Sequence, residues 1–178
     1  MCVELVEAGG VPLPGHEWQT VIKTLGLQPH PEGGYYREVF RSDAVVRDAV
    51  GLPRSAGTSI YYLLAEGAFS AWHRIDADEL WYFHCGAALT VHILADDETL
   101  VSHVLGDPRH RSDGELQLHV PAGCWFAAEL QNSASYALVS CAVMPGFDFA
   151  GFELAEEADL ATAIQRHGGW LRRLLHQT

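Results

Sequence analysis

Between Thr58 and Met144 the chain alternates short apolar runs with clusters of turn-forming residues. TSIYYLL (58–64), FSAWHRI (69–75), ELWYFH (79–84), ALTVHIL (88–94) and TLVSHVL (99–105) are rich in β-branched and aromatic residues. The segments EG, DAD, CGA and ADDE between them have turn chemistry. After a polar stretch, GDPRHRSDG (106–114), the pattern resumes in LQLHV (116–120), CWFAAEL (124–130) and YALVSCAVM (136–144). These eight candidate strands, preceded by the extended segment YYREVFRS (35–42), have no helical pattern between them. Parallel pairs need long crossovers, so antiparallel sheets joined by tight turns are expected, as a double-sheet jelly roll or barrel.

Helical periodicity is confined to the ends. Trp18, Val21, Ile22 and Leu25 predict a helix over 16–25, stopped by Gly26. HPEGG (30–34) reads as a turn. PGFDFAGFE (145–153), with three phenylalanines, reads as a packed extended tail. EEADLATAIQRH (156–167) has acidic residues first and a basic pair last, which predicts a helix, and WLRRLL (170–175) predicts a short closing one. The expected class is all-β with a short N-terminal helix and C-terminal helices. Residues 1–15, rich in Gly and Pro, are expected to be flexible, and 16–178 to form a single domain with one core.

Charge narrows the function classes. Eleven basic and 23 acidic residues give a formal net charge of −12, a field that repels nucleic-acid phosphates and anionic membranes. Neither partner is expected, although a few local arginines could still serve a small anion. Cys2, Cys85, Cys124 and Cys141 are scattered without a C-x-x-C pair, so no zinc knuckle or disulfide framework is read. The N-terminus is acidic where a signal peptide is basic, and the apolar runs are too short to cross a bilayer. A cytoplasmic protein with a small-molecule ligand is expected.

The chemistry concentrates in HRIDADELWYFHCG (73–86). Strand parity puts His73 and Ile75 on one face, and Glu79, Trp81 and Phe83 on one face of the next strand. A hairpin turning at 76–78 could bring His73 and Glu79 to the same interior wall. The spacing G67-x5-H73-x-I75-x3-E79-x6-G86, with G114-x6-P121-x-G123-x2-F126 further on, resembles the paired motifs of the cupin superfamily. In metal-binding cupins the ligands are two histidines and a glutamate in the first motif and a histidine in the second. Here His73 and Glu79 match two of those positions, while Ile75 and Phe126 stand at the others. The combination of HPEGGYYRE with HRIDADELW, together with TSIYYLL, VPAGCWFAAE and PGFDFAGFE, resembles the uncharacterised family cupin type 5. The resemblance implies a double-stranded β-helix, the cupin jelly-roll barrel, over 16–178, and a homodimer. It also implies structural similarity to sugar-nucleotide epimerases.

Two function classes stay open at this point. In the first, the protein is a metal-independent isomerase- or epimerase-like enzyme acting on a sugar or sugar nucleotide. His73 is the base, Glu79 its orienting carboxylate and a tyrosine (35, 36, 61, 62 or 82) the acid. In the second, the same lumen binds a small molecule without chemistry. Arg37, Tyr36, Tyr62, Trp81, Phe83 and Phe126 are the expected ligand-binding residues. No cofactor is expected. A metal-dependent cupin enzyme, with a divalent metal on His73 and Glu79, is the third reading, weakened by the loss of half the ligand set. Asp78 is expected to serve the turn, and Arg109 and Arg111 a solvated loop.

Overall fold

The structure, a computed structural model, describes residues 17–133 and 135–176, so the expected flexible segment 1–15 and Cys2 lie outside the described residues. Helix α1 (Glu17–Leu25) leads into β1 (Gln28–Pro29), β2 (Tyr35–Arg41), β3 (Val45–Arg47), β4 (Pro53–Ser55), β5 (Thr58–Ala65) and β6 (Phe69–Ile75). Strands β7 (Asp78–Gly86), β8 (Leu89–Leu94), β9 (Leu100–Leu105), β10 (Gln117–Val120), β11 (Trp125–Leu130) and β12 (Tyr136–Met144) follow. A 3-10 turn (Phe149–Gly151), β13 (Phe152–Leu154), α2 (Ala161–His167) and a 3-10 helix (Gly169–Leu174) close the chain.

The strands form two main antiparallel sheets, in the orders β1-β2-β5-β12-β7-β10 and β13-β6-β11-β8-β9, with β3 and β4 as a separate hairpin. Tyr62, Trp81, Val91, Phe126 and Val139 meet between the two sheets as the main core. Burying such side chains supplies roughly 1.5–3 kcal/mol each against chain entropy. Strand β12 alternates buried and half-buried positions along most of its length, as its period-2 sequence demands. The β5 and β6 runs Tyr62–Ala65 and Ser70–His73 are buried on both faces because helices cover their outer sides. Val21 of α1 packs with Leu63, and Leu160, Ile164 and Leu171 pack with Trp72 and Ala127.

The all-β jelly roll with terminal helices is the expected class, and strand ends fall within about two residues of the expected ones. The helix expected over 156–167 begins only at Ala161. Asp159 accepts a hydrogen bond from the Glu156 backbone N–H (2.8 Å), a local turn that competes with helix formation. Three elements were not expected from the sequence: β1, the β3–β4 hairpin and β13. Phe152–Leu154 extends the second sheet by pairing with β6, which brings the phenylalanine-rich tail against His73. Among the described residues, no helix is long and apolar enough to cross a membrane.

Candidate active site in the sheet lumen

The HPEGG turn lies against β5 and β6 more closely than a side chain would permit. Gly33 (φ +114°) and Gly34 (φ +68°) both occupy backbone conformations that favour glycine. A Cβ on Gly33 would sit 2.1 Å from the Phe69 carbonyl oxygen, and one on Gly34 2.6 Å from that of Leu63. The Ala71 N–H donates to the Glu32 carbonyl (2.8 Å), and the Tyr62 hydroxyl donates to the Gly33 carbonyl (2.8 Å). Pinned in this way, the turn delivers the Glu32 carboxylate into the interior, where the Ser70 hydroxyl donates to it (2.9 Å).

His73 receives that carboxylate. Its Nε2 lies 3.0 Å from Glu32 Oε2, and its Nδ1 lies 2.7 Å from the Ala71 carbonyl oxygen. A carbonyl and a carboxylate both accept, so both ring nitrogens are assigned as donors and the ring is an imidazolium. Burial disfavours that charge, but the Glu32 carboxylate and its hydrogen bond outweigh burial and raise the His73 pKa. Glu32 answers in kind: burial alone would raise its pKa, and the imidazolium holds it down at about 2.

Glu79 shares the wall, as strand parity predicts, but it makes no direct hydrogen bond to His73. That expected pair is replaced by His73–Glu32, because the glycine turn places its carboxylate at Nε2. Burial pushes the Glu79 carboxyl up to about 7, and the Glu32 charge adds to this while the His73 charge opposes it. The donors facing it are the Cys141 thiol and the Trp81 indole N–H, and the indole has no well-aligned hydrogen-bond partner. His30 completes the cluster. Its Nδ1 accepts from the Glu32 N–H (3.3 Å), and burial lowers its pKa, so it is neutral.

These groups face a cavity of about 360 Å³, within the range of small-molecule sites. Of the residues expected there, His73, Glu79, Tyr36 and Tyr62 line it, whereas Arg37, Trp81, Phe83 and Phe126 do not. Arg37 alternates to the other face of β2, where its guanidinium lies over the Tyr61 ring, 5.9 Å from the centroid. Trp81 and Phe126 are buried behind the wall, with the Phe126 ring 3.9 Å from that of His73. Phe83 packs against the core, near a register shift between β7 and β12. His30, Glu32, Arg41, Phe147, Phe149 and Phe152 also line the cavity and were not expected. The usable signal was HPEGG itself, since consecutive glycines beside an acid mark a backbone driven close to another strand.

The donor set does not fit a cupin metal. Ile75 lines the cavity at one ligand position, Phe126 fills another, and His73 already directs both nitrogens at oxygen acceptors. Among the described residues, no group of three or more His, Cys, Asp or Glu is arranged to hold an ion. Three further described histidines serve elsewhere. His84 is exposed and contacts the Ser140 hydroxyl (2.6 Å), and His119 contacts Asp78 (2.9 Å). His92 contacts Ser102 (2.7 Å) and Glu129 (3.2 Å). Asp78 also accepts from the Ala122 N–H (3.2 Å), tying β7 to the 121–123 turn, and Arg109 and Arg111 pair with Asp107 and Asp113 within their loop.

A family model described as cupin superfamily (DUF985) matches residues 19–155. No curated protein matches the sequence. A hypothetical protein from Leishmania major is similar in structure, with 34% identity, 89% of this chain and 98% of that chain covered, and a TM-score of 0.81. A Shewanella oneidensis protein has 34% identity, 90% and 98% coverage and a TM-score of 0.80. Oxalate decarboxylase from Bacillus subtilis shares the fold at 18% identity, with 75% of this chain and 33% of that chain covered and a TM-score of 0.51.

Proposed function

The chain belongs to the DUF985 family of the cupin superfamily, and on that footing we propose that its cavity binds a small molecule and moves a proton on it, as an isomerase or epimerase does. One observation carries this reading. Glu79, buried in the cavity wall, forms no ion pair among the described residues and stands beside a His73–Glu32 pair whose protons are already held. A carboxyl poised near neutrality can both take and return a proton, the requirement for abstraction next to a carbonyl. Glu79 is therefore the base, in place of His73. The imidazolium supplies fixed positive charge toward an oxygen that becomes negative as the proton leaves. Tyr62 spends its hydroxyl proton on Gly33, so Tyr36 is the phenol left on the wall to act as acid.

The test is solvent exchange. Reducing sugars and small hydroxy-ketones are incubated with the protein in deuterium oxide, and deuterium incorporation beside the carbonyl is read by NMR. Exchange that disappears in Glu79→Gln, with the thermal shift from the ligand retained, is expected. Ligand binding with no exchange anywhere in the panel overturns the catalytic reading and leaves a binding barrel. The homodimer is a separate proposal, supported by the exposed Val45, Val50 and Leu52 on or beside the β3–β4 hairpin. Light scattering at graded concentrations tests it.

A further inference from the structure

The charges and rings around the cavity specify its ligand more narrowly. Three lining carboxylates, Glu32, Glu38 and Asp148, face two lining cations, His73 and Arg41. His30 is neutral, and Arg41 is held by Glu38 (3.0 and 2.6 Å) and by the Phe147 carbonyl oxygen (3.1 Å). One negative charge is thus uncompensated with Glu79 protonated, and two with it ionised. A recessed, low-dielectric wall focuses that field, and the −12 of the whole chain adds to it.

The outer part of the cavity is aromatic. Phe147 and Phe149 meet edge to face at 4.9 Å, Phe152 lies 6.1 Å from each, and His30 sits 4.6 Å from Tyr36. Phe149 is half-exposed although it belongs to this cluster, so part of its ring is free for a ligand. Ring faces beside excess carboxylate form the environment that attracts an organic cation. Deeper in, Glu79 is 7% exposed and lines the cavity, and it forms no ion pair among the described residues.

From the cavity, its charge and its rings we propose that the ligand is a small amine or quaternary ammonium compound, with phosphorylated and carboxylated compounds excluded. The proposal rests on the small-molecule reading of the same cavity. It replaces a sugar nucleotide with an unphosphorylated, amine-bearing molecule. Cation binding is coupled to Glu79, which faces His73 from β6, Glu32 from the 30–34 turn and Cys141 from β12. Glu38 and Arg41 of β2, with His30 and Asp148, line the rest of the wall. Ionised Glu79 is one more negative charge facing a bound cation, so cation binding favours its ionised form and drives a proton off it.

Two isosteric series test this on the intact protein by calorimetry. The first is glucosamine, glucose and glucose 6-phosphate, and the second is choline against 3,3-dimethylbutanol. In at least one series the cation is expected to bind about tenfold or more tighter than its neutral partner, read at about pH 8 for choline, whose charge is permanent, and at about pH 6.5 for glucosamine, whose amine is protonated there. The choline preference should shrink at about pH 5.5, and choline heats in buffers of different ionisation enthalpy should show proton release on binding. Glu79→Gln should abolish the proton release while leaving a cation preference from the outer wall. Tighter binding of the phosphate, equal binding of charged and neutral members, or no binding of either cation overturns the proposal. Solvent exchange on neutral sugars without an amine preference would sink this inference alone. Amine binding without any exchange would sink only the catalytic reading.

Discussion

His73 Nε2 and Glu32 Oε2 lie 3.0 Å apart, joining the first turn after β1 to the middle of β6 inside the lumen. Both residues are buried, so each depends on the other for its charge. Breaking a buried pair on one side costs about 3–5 kcal/mol, since the remaining ion has no compensation. Glu32→Gln is therefore expected to lower stability by about that amount in urea denaturation at pH 6. His73 should then titrate below its ordinary value, which the NMR shift of its ring protons reads directly. An unchanged His73 titration would mean that Glu32 does not hold the imidazolium.

Acid stability follows from Glu32. Its folded pKa of about 2 lies below the ordinary 4.5, so its contribution is present above 4.5 and is lost as pH falls toward 2. Wild type should lose stability over that window, and the pH dependence should flatten in Glu32→Gln. His73 acts on the other side: its raised pKa contributes stability below 6.5 that is lost as pH rises through the folded value.

Glu79 has the opposite sign to Glu32. Its folded pKa of about 7 exceeds the ordinary 4.5, so stability is full below 4.5 and falls as pH rises to about 7. Glu79→Gln removes the ionisation and should gain on wild type between about pH 5 and 8, by at most about 3 kcal/mol. As the base of the proton transfer, Glu79 is expected to be worth about 10²–10⁴ in kcat, lost in the same variant with little change in KM. Equal stability gain at both pH values would show that Glu79 is not held neutral by burial.

The glycine turn makes a steric prediction. In Gly33→Ala the new Cβ would meet the Phe69 carbonyl oxygen at 2.1 Å in a backbone conformation that alanine disfavours. Strain and displacement should cost about 1–3 kcal/mol or more. Because the turn also carries Glu32, the His73 titration should shift in this variant too. A lower melting temperature with an unperturbed His73 would separate the turn from the ion pair.

Metal addition offers a contrast. With Ile75 and Phe126 at two ligand positions and His73 committed, Mn²⁺, Fe²⁺, Zn²⁺ or a chelator should leave the melting temperature unchanged. A stabilisation lost in His73→Ala would overturn this, because a ligand that binds only the native state raises stability by mass action.

Much of this protein was legible along the chain. The period-2 runs from Thr58 to Met144 specify antiparallel strands, because neighbours across a tight turn can only pair that way. Parity correctly placed His73, Ile75 and Glu79 on the lumen side. Ile75 and Phe126 showed from sequence that the metal frame had lost half its donors. The partner of His73 was not legible. Glu32 lies 41 positions upstream in what reads as punctuation, and spacing within a hairpin favours the nearer Glu79. Only the tertiary structure lays the glycine turn across β5 and β6, adds β13 to the sheet edge and closes Phe147, Phe149 and Phe152 over the cavity. Local pattern determines which face a side chain takes. Which distant carboxylate reaches it depends on chain packing, and here that packing paired His73 with Glu32 and left Glu79 with its carboxyl pushed up to about 7.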